Sequence, residues 1–260
     1  MKRFFNDLFK YRHYILYAAK SDLKSEVANS YLNWLWWILD PFLFMMVYTF
    51  ISSVVFKSKE PYFPVFVFIG LAIWDFFNKT VIGSVKLVQA NSHIVSKVYL
   101  PKFILVFQRE VVNGFKMSIS FLLIIFMMIL YRVPLSNKYC YLLPTMAALL
   151  IFTFGVSTIV LHFGVFVEDL ANVLTVVLRL VFYLSGIFFS IEKRVPFPYN
   201  SLLLKCNPIA LLIQDARNIL LYGLHPHRKL LLVWFLAGLL LSMIGIQIIY
   251  KYENSYVKVS

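Results

Sequence analysis

Tyr139–Val167 reads YCYLLPTMAALLIFTFGVSTIVLHFGVFV, a run without a single Asp, Glu, Lys or Arg. A helix rises 1.5 Å per residue, and about 20 mostly apolar residues carry it across the hydrocarbon of a bilayer. This run is long enough to do so. Five further segments have the same character: Trp34–Phe56, Pro64–Ser84, Val111–Tyr131, Val173–Ile191 and Leu230–Tyr250. The reading is six spans.

The remainder of the chain agrees. Of 260 residues, 61% are hydrophobic and 18% aromatic, and only 14% are charged; the mean hydropathy is +0.77. Soluble domains carry about a quarter charged residues, and a fold of this length buries only about 75% of the surface its chain exposes. A water-soluble enzyme and a disordered regulator are therefore both excluded. The net charge of +13 lies between apolar segments, which points to anionic headgroups or an anionic cargo rather than nucleic acid. Cys140 and Cys206 form no CxxC pair.

The fold class expected is all-α integral membrane, with one transmembrane domain over 34–250. Residues 1–33 are broken by charges every few positions, so they read as an amphipathic interfacial helix rather than a signal peptide. Residues 251–260 form a tail. Within the domain, 83–110 is a long polar loop. Residues 192–229 hold Pro196, Pro198, Pro208 and Pro226 between apolar runs too short to span. Lys and Arg are divided almost evenly over the loops. The first span alone is biased, with Lys2, Arg3, Lys10, Arg12, Lys20 and Lys24 before it, and this places the N-terminus in the cytosol.

Catalytic motifs are missing. There is no GxxxxGK[ST], no GxGxxG and no HExxH. His225-Pro226-His227 reads as a turn before the sixth span rather than a metal site. No catalytic, metal or cofactor-binding residue is expected. Ionisable residues inside spans are costly and so are functional candidates. Asp40-Pro41 reads as an N-cap and first helical position that break span one. Asp75 and Lys79 have the spacing of an i,i+4 ion pair. Arg179 is either a phosphate contact or a partner for Asp40, and Lys116 is expected to snorkel. Aromatics run deep into span one (Trp37, Phe44, Tyr48). In span five Arg179, Phe182, Tyr183, Gly186 and Phe189 fall on one helical face. Such a stripe is either packed against protein and lipid or a channel wall over which sugar rings slide face to face. Two stretches read as docking surfaces: Asn91, Ile94, Lys97, Tyr99, Leu100 and Pro101 in the long loop, and the turn at Glu168 and Asp169.

The pattern resembles the permease subunits of ABC exporters for polysaccharides, including O-antigen, capsule and wall teichoic acid. Asp22-Leu23-Lys24-Ser25-Glu26, Ser30-Tyr31-Leu32-Asn33-Trp34-Leu35-Trp36 and Asp40-Pro41 are similar to the family's opening motif. Lys97-Val98-Tyr99-Leu100-Pro101 is similar to its coupling segment, and Phe166-Val167-Glu168-Asp169-Leu170 to an aromatic-Arg-Asp turn. Leu184-Ser185-Gly186-Ile187-Phe188 resembles the outer end of span five. Asn207-Pro208-Ile209-Ala210, with Gln214, Ala216, Arg217 and Asn218, resembles an Asn-Pro re-entrant helix. The sequence departs from the family at Asn33, Asp40, Glu168 and Gly186, where Gly, Asn, Arg and Pro are usual.

The resemblance implies a homodimer in the bacterial cytoplasmic membrane with both termini in the cytosol. It implies two copies of a separate ATPase that holds ATP-Mg, coupled through Asn91, Ile94, Lys97, Tyr99, Leu100, Pro101, Glu168 and Asp169. Trp37, Phe44, Tyr48, Arg179, Phe182, Tyr183 and Phe189 would line the channel. Arg12, Lys20 and Lys24 would meet a lipid diphosphate, and Asn207, Pro208 and Arg217 would form an outer gate. The cargo would be a lipid-linked glycopolymer. An exporter of a drug or small lipid, and a polyprenyl-phosphate-dependent membrane transferase, stand as alternatives.

Overall fold

A computed structural model describes residues 2–28, 31–51, 54 and 60–259, with the backbone alone at 33, 48 and 257–259. The described residues form helices and no strand. In chain order they are α1 (Lys2–Val27), α2 (Trp36–Phe50), α3 (Phe63–Val85), the short α4 (Leu87–Ala90) and α5 (Ser92–Val95), and α6 (Phe103–Leu130). There follow α7 (Leu142–Phe166), α8 (Leu170–Leu184), α9 (Ile191–Arg194), α10 (Tyr199–Cys206), α11 (Pro208–Leu220), α12 (Arg228–Lys251) and α13 (Glu253–Val259). Among the described residues four helices are long and apolar enough to cross a membrane: Phe63–Val85, Phe103–Leu130, Asn137–Phe166 and Arg228–Lys251. Trp36–Val47 and Leu170–Leu184 are shorter apolar helices. The chain is a multi-pass membrane protein.

The arrangement is built around α3. Its first three turns are apolar on every side, and Val65–Ile69 are wholly buried, as expected of a helical stretch hydrophobic all round. It packs on α2, α6, α7, α8 and α11. Beside it α7 and α12 lie along each other, at positions where only glycine fits. A Cβ on Gly155 would stand 2.8 Å from Leu241 Cβ, and one on Gly238 would stand 2.9 Å from the Phe152 backbone. Small residues of this kind let spanning helices approach closely where no hydrophobic effect drives them together.

Three segments differ from the sequence reading. The helix read from Val111 begins at Phe103, because Phe103–Val106 form a buried apolar turn behind Pro101. The loop read as 83–110 is thus confined to 86–102, where α4 and α5 sit. Asp40-Pro41 does not break span one: α2 runs through Pro41, forgoing only the bond its missing N–H would make. The fifth helix stops at Leu184, since Gly186 takes φ +64°, a value glycine adopts without cost.

The two ends of the bundle are distinct. At one end Arg3, residues 86–102, the Phe166–Leu170 turn and α13 meet. At the other lie Glu60, the residues from Ser185 to His227 and the start of α7, joined by Lys193–Glu60 at 2.8 Å and Arg228–Tyr141 at 2.8 Å.

Candidate functional site

On α3 the exposed or half-exposed positions after Tyr62 and Pro64 begin at Asp75 and continue through Asn78, Lys79 and Ile82 to Gly83. Spacings of three and four put them on one stripe. Asp75 and Lys79 pair at 2.8 Å, as the spacing predicts, with both side chains close to half exposed. The stripe faces two adjoining cavities. One, of about 220 Å³, is walled by Trp36, Trp37 and Asp40 of α2 and by Asn113, Lys116 and Ser120 of α6. The other, of about 360 Å³, is walled by Phe44 of α2 and by Trp74 of α3, and by Arg179, Phe182 and Tyr183 of α8. Asp40, Pro41, Asp75 and Lys79 line both.

The result is one groove at membrane depth with an aromatic wall and a charged floor. Phe182 packs edge-on to Trp74 at 5.3 Å and to Tyr183 at 5.3 Å. Trp37 stands edge-on to Phe115 at 5.8 Å. Arg179 shares the larger cavity with Asp40. Phe189 is not part of this wall: the helical stripe ends with α8, and Phe189 packs beside Ile191, Leu204, Ala210 and Leu211. The Tyr48 side chain lies outside the described residues. Lys116 pairs with Glu26 of α1.

At the α13 end, Arg3 joins three segments. Its Nη2 donates to Tyr99 Oη at 2.7 Å and to Glu253 at 3.1 Å, and its guanidinium lies 4.3 Å from the centre of the Tyr250 ring. Tyr11 Oη donates to the Tyr99 carbonyl at 3.0 Å. Lys97, Val98 and Tyr99 remain exposed and Asn91 and Ile94 half-buried, but Leu100 and Pro101 are buried. Leu100 belongs to the core with Phe4 and Phe103, so it offers no docking surface. Glu168 and Asp169 are exposed in the turn after α7. That turn is held beside α4 where Gly164 lies against the Val85 backbone, with no room for a side chain. On α1, Phe4, Ile15 and Ala19 are buried, and Arg12, Lys20 and Lys24 project from the exposed side.

At the opposite end the sequence-derived gate residues are structural. Asn207 caps α11: its Oδ1 accepts from the amides of Ile209 and Ala210 at 3.1 Å, and its Nδ2 donates to Ser185 at 3.0 Å. Pro208 occupies the first helical turn. Arg217 is 1% exposed. It donates to the carbonyls of Phe66 (3.0 Å), Gly186 (2.8 Å) and Ile187 (2.7 Å), and lies 3.4 Å over the Phe66 ring. It faces no opening.

Sequence reasoning missed Arg3 and a further network. Asp215, fully buried, accepts at Oδ1 from the His227 amide at 3.0 Å and from its Nδ1 at 2.7 Å, while His227 Nε2 meets Glu192 at 3.1 Å. The available signal was an acid, Asp215, inside the apolar run 208–220. The hydrogen bonds to Asp215 and then to Glu192 push the His227 imidazole up to about 10, and the bond from His227 lowers the Glu192 carboxyl. A raised base stabilises the fold fully below its unfolded value of 6.5 and loses that contribution as pH climbs toward 10. A lowered acid loses its contribution as pH falls below 4.5. The melting temperature of detergent-solubilised protein should therefore fall between about pH 6.5 and 10. In His227→Gln that slope should flatten, and an unchanged slope would dismiss the network as its source.

Comparison with known proteins adds the following. The chain is 26% identical over 246 residues to an O-antigen export system permease protein RfbA of Klebsiella pneumoniae, covering 94% of each chain. A second protein of that name from Klebsiella pneumoniae is 25% identical over the same share. One from Myxococcus xanthus is 27% identical over 220 residues, 84% of each. No protein-family model matches the chain. The resemblance read in the motifs is thus matched by similarity running through nearly the whole length.

Proposed function

We propose, from this end-to-end similarity to O-antigen export permeases, that the chain is the membrane subunit of an ATP-driven exporter of a lipid-linked polysaccharide. The observation that carries the reading is 26% identity over 94% of both chains, in a multi-pass helical protein with an aromatic groove among its helices. Two copies would form the channel in the cytoplasmic membrane, with α2 and α8 completing six crossings per copy and α9–α11 re-entering from the outer side. The groove would carry the sugar chain over Phe44, Phe182 and Tyr183. Asp40 and Asp75 are balanced there by Lys79 and Arg179, and Lys116 by Glu26 of α1. A lining without net charge suits a neutral polysaccharide better than a polyphosphate such as teichoic acid. ATP-Mg would be held by a separate ATPase, and the chain itself would do no covalent chemistry.

The ATPase would dock on Lys97, Val98 and Tyr99 with Glu168 and Asp169. Val98 is 58% exposed, so Val98→Asp should abolish co-purification with the ATPase without affecting the fold, and a stable complex would place the docking surface elsewhere. The decisive experiment is co-expression with candidate ATPase subunits, followed by hydrolysis assays with defined lipid-linked glycans. A complex stimulated by one glycan class supports the exporter. A chain that binds no ATPase and transfers a glycosyl or phospho group from a polyprenyl carrier, lost in Asp40→Asn, would favour the transferase, the reading suggested by two acids sharing one cavity.

A further inference from the structure

Away from the groove, α1, α6, α7 and α12 enclose a cavity of about 240 Å³ whose walls are almost wholly apolar, including Phe4, Phe107, Phe154, Leu239 and Ile246. One acid stands in it. Glu110 of α6 is 7% exposed, and its Oε1 is enclosed without a hydrogen-bond partner among the described residues. Its chain neighbour Arg109 turns instead toward Gly83 of α3. Ser242, also on the wall, already donates to the carbonyls of Gly238 and Ile151. Burying a carboxyl with nothing to donate to it is expensive. The cavity thus lacks a hydrogen-bond donor at one point and offers apolar surface everywhere else.

Its mouth lies among Phe5, Leu239 and Met243, which are exposed, and α12 crosses the membrane there, so the medium at the opening is lipid. Glu110 is seven residues from the start of α6, about 10 Å along it. A helix of 28 residues matches the full bilayer with its headgroup regions, about 40–45 Å. Glu110 therefore lies near the membrane surface, within reach of a headgroup.

We propose that this cavity binds an aminophospholipid, with the primary ammonium donating to Glu110 and an acyl chain lying along the aromatic and aliphatic wall. A primary ammonium brings both the opposite charge and N–H donors, whereas a choline headgroup brings the charge alone. The proposal does not depend on the exporter reading, since it concerns the chain and its bilayer only.

The test is lipid retention on the purified full-length chain, measured by native mass spectrometry after exchange into phosphatidylethanolamine, phosphatidylcholine or phosphatidylglycerol of matched acyl chains. Phosphatidylethanolamine should be retained about tenfold more than phosphatidylcholine, the equivalent of one charge-assisted hydrogen bond, and in Glu110→Gln the ratio should approach unity. Equal retention by the unaltered protein, preference for phosphatidylglycerol, or a preference that survives in Glu110→Gln would each overturn the proposal. Should Glu110→Gln not accumulate, Met243→Trp, which fills the mouth and keeps the acid, must likewise abolish the preference; its persistence would overturn the site.

Discussion

Arg217→Met is expected to prevent accumulation of the folded protein. Methionine keeps the length and apolar stem of the side chain but removes every donor, stranding the carbonyls of Gly186 and Ile187 in a place water does not reach and leaving that of Phe66 with its helical bond alone. Each buried orphan costs about 1–3 kcal/mol, so the loss is about 2 kcal/mol at the least, a large part of a typical margin of about 5–15 kcal/mol. Arg217→Lys should recover only part of it, because one ammonium cannot reproduce a planar fork. Fluorescence size-exclusion of detergent extracts, with melting temperatures for whatever folds, reads the result. An unchanged melting temperature in Arg217→Met would show that the Gly186 and Ile187 carbonyls need no donor from it. The same guanidinium explains Gly70, where a Cβ would stand 2.7 Å from Arg217 Nη2.

The second large effect concerns transport. Phe44 and Tyr183 are 51% and 64% exposed on opposite walls of the larger cavity, whereas Phe182 is half-buried against Trp74. Truncating Phe182 would disturb packing as well as the groove, so it is the poorer test. The double change Phe44→Ala and Tyr183→Ala removes two ring faces and little core. A nucleobase stacked on an aromatic ring gains about 1–3 kcal/mol; with the low end of that range for each sugar contact, losing two should reduce polysaccharide export by about tenfold or more with unchanged melting and unchanged assembly. Export at the original rate in a proteoliposome assay would remove the groove from the transport path.

Much of the fold was legible. Runs of apolar residues place α3, α7 and α12 within two or three residues of where they lie, because a spanning segment cannot tolerate many charges and so announces its own limits. The start of α6 escaped notice because Gln108, Arg109 and Glu110 look like loop residues. The Gln108 Nε2 in fact donates to Asp22 of α1 at 2.8 Å, a partner far away in the sequence. The end of α8 was hidden in one glycine dihedral. Among site residues, the Asp75–Lys79 pair followed from spacing alone, whereas Arg179 was left between a phosphate contact and a pairing with Asp40. Arg217 was misjudged for the opposite reason: its partners are backbone carbonyls, which carry no side-chain signature. Leu100 was read as part of the docking segment because it lies within Lys97–Pro101, yet it is the residue that anchors that segment in the core.

The ion pair on α3 also bears on how the chain reaches its membrane. Synthesis runs from the N-terminus, so α3 leaves the ribosome before α6, α7, α8 and α11, the helices that later surround it. During that interval its stripe has only α2 to face. A lone lysine or aspartate near the centre of an inserting helix resists entry by about 2.5–3.5 kcal/mol. Asp75 and Lys79, one turn apart and already bonded within the same helix, enter the bilayer as a neutral dipole. The pair that later floors the groove is thus first a passport for the nascent segment.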